Sequence, residues 1–89
     1  MDEIAEIRNV LEKQKVVIGS DQCIKNLKKG NVDRVLITSN CSARTRQEID
    51  TYAKVEEVKI DSLEMSNQDL GTVCKKSFSI SVLSVLKEN

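Results

Sequence analysis

Apolar residues along this 89-residue chain follow helical and strand-like patterns in alternation. In Asp2–Lys13 they recur every three or four residues, which is the spacing of one helical face. Lys15–Ile18 is a short, mostly β-branched run without polar alternation, as is typical of a buried strand. The same two patterns return in Ser20–Lys29 and Arg34–Thr38. The first half of the chain therefore predicts helix, strand, helix and strand in that order.

The second half of the chain continues the alternation. Ala43–Lys54 predicts a third helix, and Val55–Ile60 predicts a third strand, which is weaker because charged residues interrupt it. Ser66 followed by Asp69 resembles a capping box and places the start of a short fourth helix. In Phe78–Leu86 serines separate the apolar residues, and this alternation predicts a last strand with one wetter face.

Strands and helices that follow one another in turn pack as layers. They predict an α/β fold, a three-layer α/β/α sandwich with a mixed, mostly parallel four-stranded sheet. Ser20 is predicted to cap the second helix, and Gly30 to end it in the left-handed conformation. Because a domain usually has about 100–200 residues, we expect residues 1–89 to form a single domain.

The hydropathy pattern argues against a membrane protein and against secretion. The longest run without a charge, Ser77–Leu86, contains four serines and is far shorter than the roughly 20 apolar residues of a membrane span. The first residues are acidic, whereas a signal peptide begins with basic residues. We therefore expect a soluble cytoplasmic protein.

The composition offers little for catalysis or metal binding. The chain has no His, and its three Cys lack C-x-x-C spacing, so we expect no structural zinc site. Cys23, Cys41 and Cys74 are predicted to be small buried hydrophobic residues in a reducing cytosol. The sequence has no Gly-rich phosphate loop and no G-x-S-x-G motif. We predict neither an enzyme nor a bound cofactor.

The 14 basic and 14 acidic residues sum to zero charge, but they are segregated along the chain. Residues 15–46 carry 7 basic and 2 acidic side chains, residues 71–89 carry 3 and 1, and residues 47–70 carry 2 and 7. In α/β sheets the loops after the strands meet at one edge with the helix N-termini, which favours anions. We therefore expect a basic edge that binds nucleic acid, with the acidic segment facing away or toward another partner. On charge alone the alternative is a solvated helix face at Lys25, Lys28 and Lys29.

Several short blocks of residues occur in an ordered series. They are Val17-Ile18-Gly19, Lys29-Gly30, Arg34–Ile37 with Ser39-Asn40, Ile49–Ala53 and Asp69–Thr72. In this order and at this spacing the blocks resemble the archaeal and eukaryotic type of ribosomal protein L-thirty, within the kink-turn RNA-binding ribosomal protein family. The resemblance covers nearly the whole chain.

The resemblance implies an α/β/α sandwich that grips a kink-turn or a similar internal loop of RNA. In the family, Gly at the place of Gly19 lets the backbone approach the RNA. The helix start at Ser20, Asp21 and Gln22 would then read sheared G·A pairs, with Lys25 one turn further on. Asp21 departs from the family, in which a basic residue or Asn is usual, and its carboxylate repels phosphate.

The resemblance also implies RNA contacts in two later loops. Asn40 matches a family Asn, and the arginines that follow it lie where basic residues meet the RNA backbone. Phe78 matches an aromatic position of the last loop, where it would stack on an exposed base. Lys75 replaces a Gly that is usual there, which adds charge and stiffens the loop. The contact residues implied for these loops are Asn40, Arg44, Arg46, Lys75, Lys76 and Phe78.

Together these features predict a structural constituent of the large ribosomal subunit that binds RNA without catalysis. We expect it to be a monomer when free, cytoplasmic and ribosome-associated, with ribosomal RNA and neighbouring ribosomal proteins as partners. One alternative is an RNA-binding core protein of a small-RNA modification particle. Another is a protein-interaction module of the same fold that has lost RNA affinity, which Asp21 and the acidic segment favour.

Overall fold

The computed structural model describes residues 3–87, along which helices and strands alternate. In chain order the elements are α1 (Glu3–Lys13), β1 (Val16–Ile18), α2 (Ser20–Lys28), β2 (Val32–Ile37), α3 (Ala43–Glu56), β3 (Lys59–Ser62), α4 (Asn67–Val73) and β4 (Val82–Leu86). This confirms the predicted α/β fold, while Asp2, the predicted start of the first helix, lies outside the described residues. No helix between residues 3 and 87 is long and apolar enough to cross a membrane.

The four strands form one sheet in the order β1-β4-β2-β3. β2 and β3 pair in parallel, whereas β4 is antiparallel to both of its neighbours, β1 and β2. The sheet is mixed, as predicted, and β1, β2 and β3 share one direction, but β2 with β3 is the single parallel pairing of the described strands. The short α4 explains this arrangement, because its seven residues rise only about 10 Å and do not return the chain to the opposite edge. β4 therefore starts where the other strands end.

Helices cover both faces of the sheet, as a sandwich requires. On one face α2 and α3 enclose a core cluster of Cys23, Leu27, Val32, Val35, Ile37, Ile49 and Val82. On the other face, with α1 and α4, the cluster consists of Ile7, Leu36, Leu63, Leu70, Ile80 and Leu83. The central strands β2 and β4 contribute to both clusters, so the sheet joins the two halves of the core.

β4 is buried on both faces, which contradicts the predicted wetter face. Ser84 has no exposed surface, since this central strand lies between two helical layers and α2 contacts it. Within residues 3–87 the Ser84 hydroxyl has no hydrogen-bond partner. Burial raises the pKa of the Cys23 thiol, and the nearby Ser84 hydroxyl opposes this rise. The predicted first residue of the strand, Phe78, lies in the preceding loop instead.

The third strand also begins later than the pattern predicted. β3 starts at Lys59 rather than at Val55, because α3 continues through Glu56 and leaves Val55 on its exposed end. Glu57 then ends the helix with a left-handed φ of 56°. The charged residues that interrupt the strand pattern are thus the last turn and the cap of a helix.

Two of the predicted caps are confirmed and one is wrong. Gly30 follows α2 with φ 68°, as predicted for its left-handed end. The Ser66 hydroxyl accepts a hydrogen bond from the Asp69 N–H at 3.2 Å and caps α4. Ser20 is not a cap, because Gly19 occupies the N-cap position of α2 and Ser20 is already helical.

α4 packs directly against the backbone of the loop that follows it. A Cβ added to Gly71 would lie 2.2 Å from the carbonyl oxygen of Phe78, a distance no side chain tolerates. The helix ends in two hydrogen bonds, from the Lys75 N–H to the Thr72 carbonyl at 3.0 Å and from the Lys76 N–H to the Gly71 carbonyl at 2.9 Å. This paired ending usually has Gly at the left-handed position, yet here Lys75 occupies it with φ 61°.

We expect Gly71→Ala to lower the free energy of unfolding by about 1–3 kcal/mol, because the added methyl overpacks the contact between α4 and the loop. Urea unfolding followed by circular dichroism measures the change. The matched control is Thr72→Ala on the exposed side of the same helix, with an expected change within about 0.5 kcal/mol. Equal stability of Gly71→Ala and the unmodified chain would contradict the close packing.

We expect Lys75→Gly to raise the free energy of unfolding by about 0.5–1 kcal/mol, because Gly adopts the left-handed conformation without the steric cost of a Cβ. Lys76→Gly removes the same charge at a position without positive φ, and should lower stability by about 0.5–1 kcal/mol through the greater freedom of the unfolded chain. Thermal unfolding of the pair isolates the backbone effect. Equal shifts for both variants would contradict strain at Lys75.

Candidate nucleic-acid interface

Four loops meet at the edge of the sheet where β1, β2 and β3 end. We call this surface the carboxyl edge, formed by Gly19, by Ser20 at the start of α2, and by residues 38–42, 63–66 and 74–81. The Gly19 N–H donates to the Val82 carbonyl at 3.0 Å, and the Thr38 N–H donates to the Ser81 carbonyl at 3.0 Å. These hydrogen bonds fasten the loops after β1 and β2 to the segment that opens β4.

The start of α2 presents an open backbone at the carboxyl edge. Gly19 has φ 99° and ψ 156°, a conformation essentially restricted to Gly, although a Cβ there would meet open space. Gly is therefore required by the backbone angle, and the space beside it stays accessible. No side chain caps α2, and the first-turn residues Asp21 and Gln22 are exposed. Uncapped N–H groups and the helix dipole favour a ligand that is rich in acceptors.

Asn40 is held in place by a residue that the sequence analysis missed, Asn67. The Asn40 Oδ1 accepts from the Asn67 backbone N–H at 2.8 Å, and the Asn40 Nδ2 donates to the Asn67 Oδ1 at 3.0 Å. The Asn67 carbonyl in turn accepts from the Ile80 N–H at 3.0 Å. Asn67 directly follows the Ser66 cap, so the sequence around it indicated the start of a helix and no contact with Asn40. The pair joins the loop after β2, α4 and the last loop.

A polar groove of about 390 Å³ lies between the start of α2, the loop after β2 and the segment before β4. It is lined by Gly19, Ser20, Asn40, Cys41, Ser42, Thr45, Asn67, Ser79, Ile80, Ser81 and Val82. Hydroxyl and amide groups prevail, and charged side chains are absent from the lining. These neutral groups both donate and accept, as contacts to base edges and ribose require. Cys41 is half-buried, and burial raises the pKa of its thiol despite the opposing charge of Arg46.

The last loop carries an exposed aromatic ring between fixed backbone contacts. Phe78 is 57% exposed, so it is not a core residue at the start of a strand. Its carbonyl lies against Gly71, and Lys75 and Lys76 follow the end of α4 with exposed side chains. The loop therefore holds a ring and two cations in solvent while its backbone is packed. This combination suits stacking on an unpaired base.

The structure brings together some of the predicted site residues and separates others. Ser20 and Asn40 line the polar groove, and Phe78 lies in the adjoining loop. Asp21 and Lys25 instead line a shallow depression between α2 and α3, together with Lys28, Lys29 and Glu48. Lys28 lies 5.2 Å from the centre of the Tyr52 ring, which supports a packing role for both.

The two predicted arginines on α3 differ in their contacts. The Arg46 guanidinium donates to the Ser62 hydroxyl at the end of β3, which directs it toward the outer edge strand. Arg44 is exposed in the first turn of the helix and has no ion pair with the described residues. Arg44 is thus free to meet a phosphate, and Arg46 would do so beside Ser62.

Ion pairs lie away from the carboxyl edge. Arg34 is 3.7 Å from Glu6 and 3.4 Å from Asp61, and Lys59 is 3.7 Å from the same aspartate. By contrast, Lys25, Arg44, Lys75 and Lys76 make no ion pairs within residues 3–87. Cations next to the carboxyl edge thus remain available, whereas those beside β3 are neutralised by the protein itself. In the same range no group of three or more Cys, Asp or Glu side chains could hold a metal ion.

The fold is shared with solved structures of low sequence identity. A protein of unknown function from Bacillus halodurans C superimposes with a TM-score of 0.77 and 18% identity over 94% of this chain and 81% of that chain. The 15.5kD RNA binding protein of Giardia lamblia superimposes with a TM-score of 0.76 and 17% identity over 100% and 78%. At these identities the similarity establishes the fold.

Curated sequences give a closer relationship. The large ribosomal subunit protein eL30 of Methanococcus vannielii is 34% identical over 98% of this chain and 83% of its own length. The proteins of the same name from Saccharolobus solfataricus and Methanopyrus kandleri are 34% and 36% identical, each over 93% of this chain and about three quarters of their own lengths (77% and 76%). These relatives confirm the resemblance inferred from the sequence blocks. Residues 4–89 also match the model of one protein family. The chain therefore belongs to the ribosomal protein L7Ae/L30e/S12e/Gadd45 family.

Proposed function

We propose that this protein is a structural component of the large ribosomal subunit that binds a kink-turn or similar internal loop of RNA at its carboxyl edge. The relatives that match over nearly the whole chain are named as large ribosomal subunit proteins and not as enzymes. The observation that carries the proposal is the open start of α2 at Gly19, which adjoins the same polar groove as the fixed Asn40–Asn67 pair.

Each part of the edge has a distinct role in this proposal. The backbone at Gly19 and the side chains of Ser20 and Gln22 approach the base edges of the bent strand. Asn40, oriented by Asn67, uses its second amide hydrogen, because the first is donated to Asn67. The Gly19 backbone and the Asn40 amide are neutral and fixed before binding, so they select RNA by shape and hydrogen bonding rather than by charge.

The charged residues surround this neutral centre. Lys25, Arg44, Lys75 and Lys76 meet phosphates, and Arg46 does so from its position beside Ser62. Asp21 suits the first turn of α2 electrostatically, and at an RNA interface its carboxylate accepts from a base amino group. Phe78 covers an exposed base. A monomeric, cytoplasmic, ribosome-associated protein fits these roles.

A ribosomal role is favoured over a small-RNA modification particle. Relatives that are 34–36% identical over nearly the whole chain are named as large ribosomal subunit proteins. The interface does not favour a protein-interaction module without RNA affinity. Both the exposed Phe78 ring and the unpaired cations that suit RNA are present in this chain.

We expect the protein to bind a kink-turn RNA at least about tenfold more tightly than a plain duplex of the same length, a difference of 1.4 kcal/mol or more. With about five phosphate contacts, affinity for either RNA should fall about 100–500-fold between roughly 50 and 200 mM salt. Fluorescence titration of both RNAs at the two salt concentrations measures this. Equal, weak binding to the two RNAs would contradict a specific site.

We expect Phe78→Ala to weaken binding of the kink-turn RNA by about 1–3 kcal/mol, the value of one base stacked on an aromatic ring. Folding should be unaffected because the ring is exposed. The matched control is Val55→Ala, which shortens an exposed apolar side chain at the far end of α3. If Phe78→Ala bound as tightly as the control, the stacking role would be wrong even with the RNA class correct.

A further inference from the structure

A second groove, of about 850 Å³, lies over β1 on the face of the sheet that carries α1 and α4. Its floor is formed by half-buried Leu11, Val16, Ile18, Val73 and Cys74, and its rim by exposed Arg8, Glu12, Lys75 and Lys76. We call it the β1 groove. Its aliphatic floor separates it chemically from the hydroxyl-lined groove at the carboxyl edge.

The strand beneath this groove has an unpaired edge. Among the strands of residues 3–87, β1 is the outermost and pairs with β4 alone. Hydrogen bonds join Gly19 to Val82 and Lys15 to Leu86, so the bonded pairs alternate along the ladder and include Val17. The N–H and carbonyl groups of Val16 and Ile18 therefore point away from β4. A strand added to a sheet edge forms hydrogen bonds with alternate residues of the edge strand, and Val16 and Ile18 have this spacing.

The rim of the β1 groove is positively charged. Arg8, Lys75 and Lys76 oppose a single carboxylate, Glu12. None of these four residues forms an ion pair within residues 3–87. A partner that contributes carboxylates would therefore find cations that the protein itself leaves unmatched.

We propose that the β1 groove binds an extended segment of a partner protein, which adds a fifth strand beside β1. Alternate apolar side chains of this segment cover Leu11, Val16, Ile18 and Val73, and its carboxylates pair with Arg8, Lys75 and Lys76. The aliphatic floor favours a protein segment over RNA, whose bases stack on aromatic rings and whose backbone buries no aliphatic groups. This inference goes beyond RNA binding and does not depend on it.

The probe is a short labelled peptide with valine at its central alternate positions, glutamate at the two ends on the same face as the valines, and threonine between them. It is compared with a peptide in which lysine replaces glutamate. We expect the glutamate peptide to bind at least about tenfold more tightly by fluorescence anisotropy. In methyl NMR spectra the resonances of Leu11, Val16, Ile18 and Val73 should shift, while that of Val55 should not. N-methylation of alternate peptide residues should abolish binding when it blocks the N–H groups facing β1, and spare binding in the other phase.

Arg8→Glu should weaken binding of the glutamate peptide about tenfold, whereas Lys13→Glu on the same helix outside the groove should not. Arg8 is not among the proposed RNA contacts, but it shares the groove rim with Lys75 and Lys76. Arg8→Glu should therefore weaken kink-turn binding by no more than about threefold, so the two proposals fail independently. The inference is overturned if both peptides bind equally, or if no methyl in the groove shifts at about 1 mM peptide. It is also overturned if kink-turn RNA, rather than the peptide, shifts the groove methyls.

Discussion

Two backbone hydrogen bonds at the start of β4 organise the rest of this structure. The Gly19 and Thr38 N–H groups donate to the carbonyls of Val82 and Ser81, each at 3.0 Å. They exist because β4 enters the sheet between β1 and β2 from the edge where those strands end. The loops after β1 and β2 are thereby fastened to one short segment, which brings the start of α2, Asn40 and the last loop onto a single surface.

The resulting interface is neutral at its centre, and unpaired cations lie around it together with the exposed carboxylates of Asp21 and Glu64. The polar groove is lined by backbone, hydroxyl and amide groups, held by contacts such as the Asn40–Asn67 pair, whereas the unpaired cations lie outside it. A chain with zero net charge has little long-range attraction for RNA. Affinity and specificity in this arrangement therefore come from a surface that is shaped before the RNA arrives. The ion pairs beside β3 occupy Arg34 and Lys59 away from this surface.

Much of the fold was predictable, because local sequence patterns determine the type of each element. Gly30 and Ser66 act as the helix signals predicted. The position of β4 was not predictable in the same way, since alternating serines indicate a half-exposed strand unless the strand is known to be central. Ser84 is buried for that reason. Likewise Asn67 shows its partner, Asn40, only once the two loops are adjacent in space.

Glycines and their substitutes determine how the last loop is placed. Gly71 allows α4 to approach the Phe78 carbonyl. Lys75 occupies a left-handed position that a Gly would adopt at a lower steric cost. The chain thus accepts local strain and gains a cation next to the exposed ring. The sequence drew attention to Gly71 and Lys75 through the family resemblance. The close packing at Gly71 and the left-handed backbone at Lys75 are visible only in the structure.

The most direct test of the account is to locate the RNA on the protein by backbone amide NMR. On addition of a kink-turn RNA, the account predicts the largest shifts at Gly19–Gln22, Asn40, Asn67 and residues 79–81. The amides of Arg34 and Asp61, on the ion-paired side, should remain unchanged. Large shifts at Arg34 and Asp61 with none at Gly19 and Asn40 would contradict the assignment of the carboxyl edge as the RNA-binding surface.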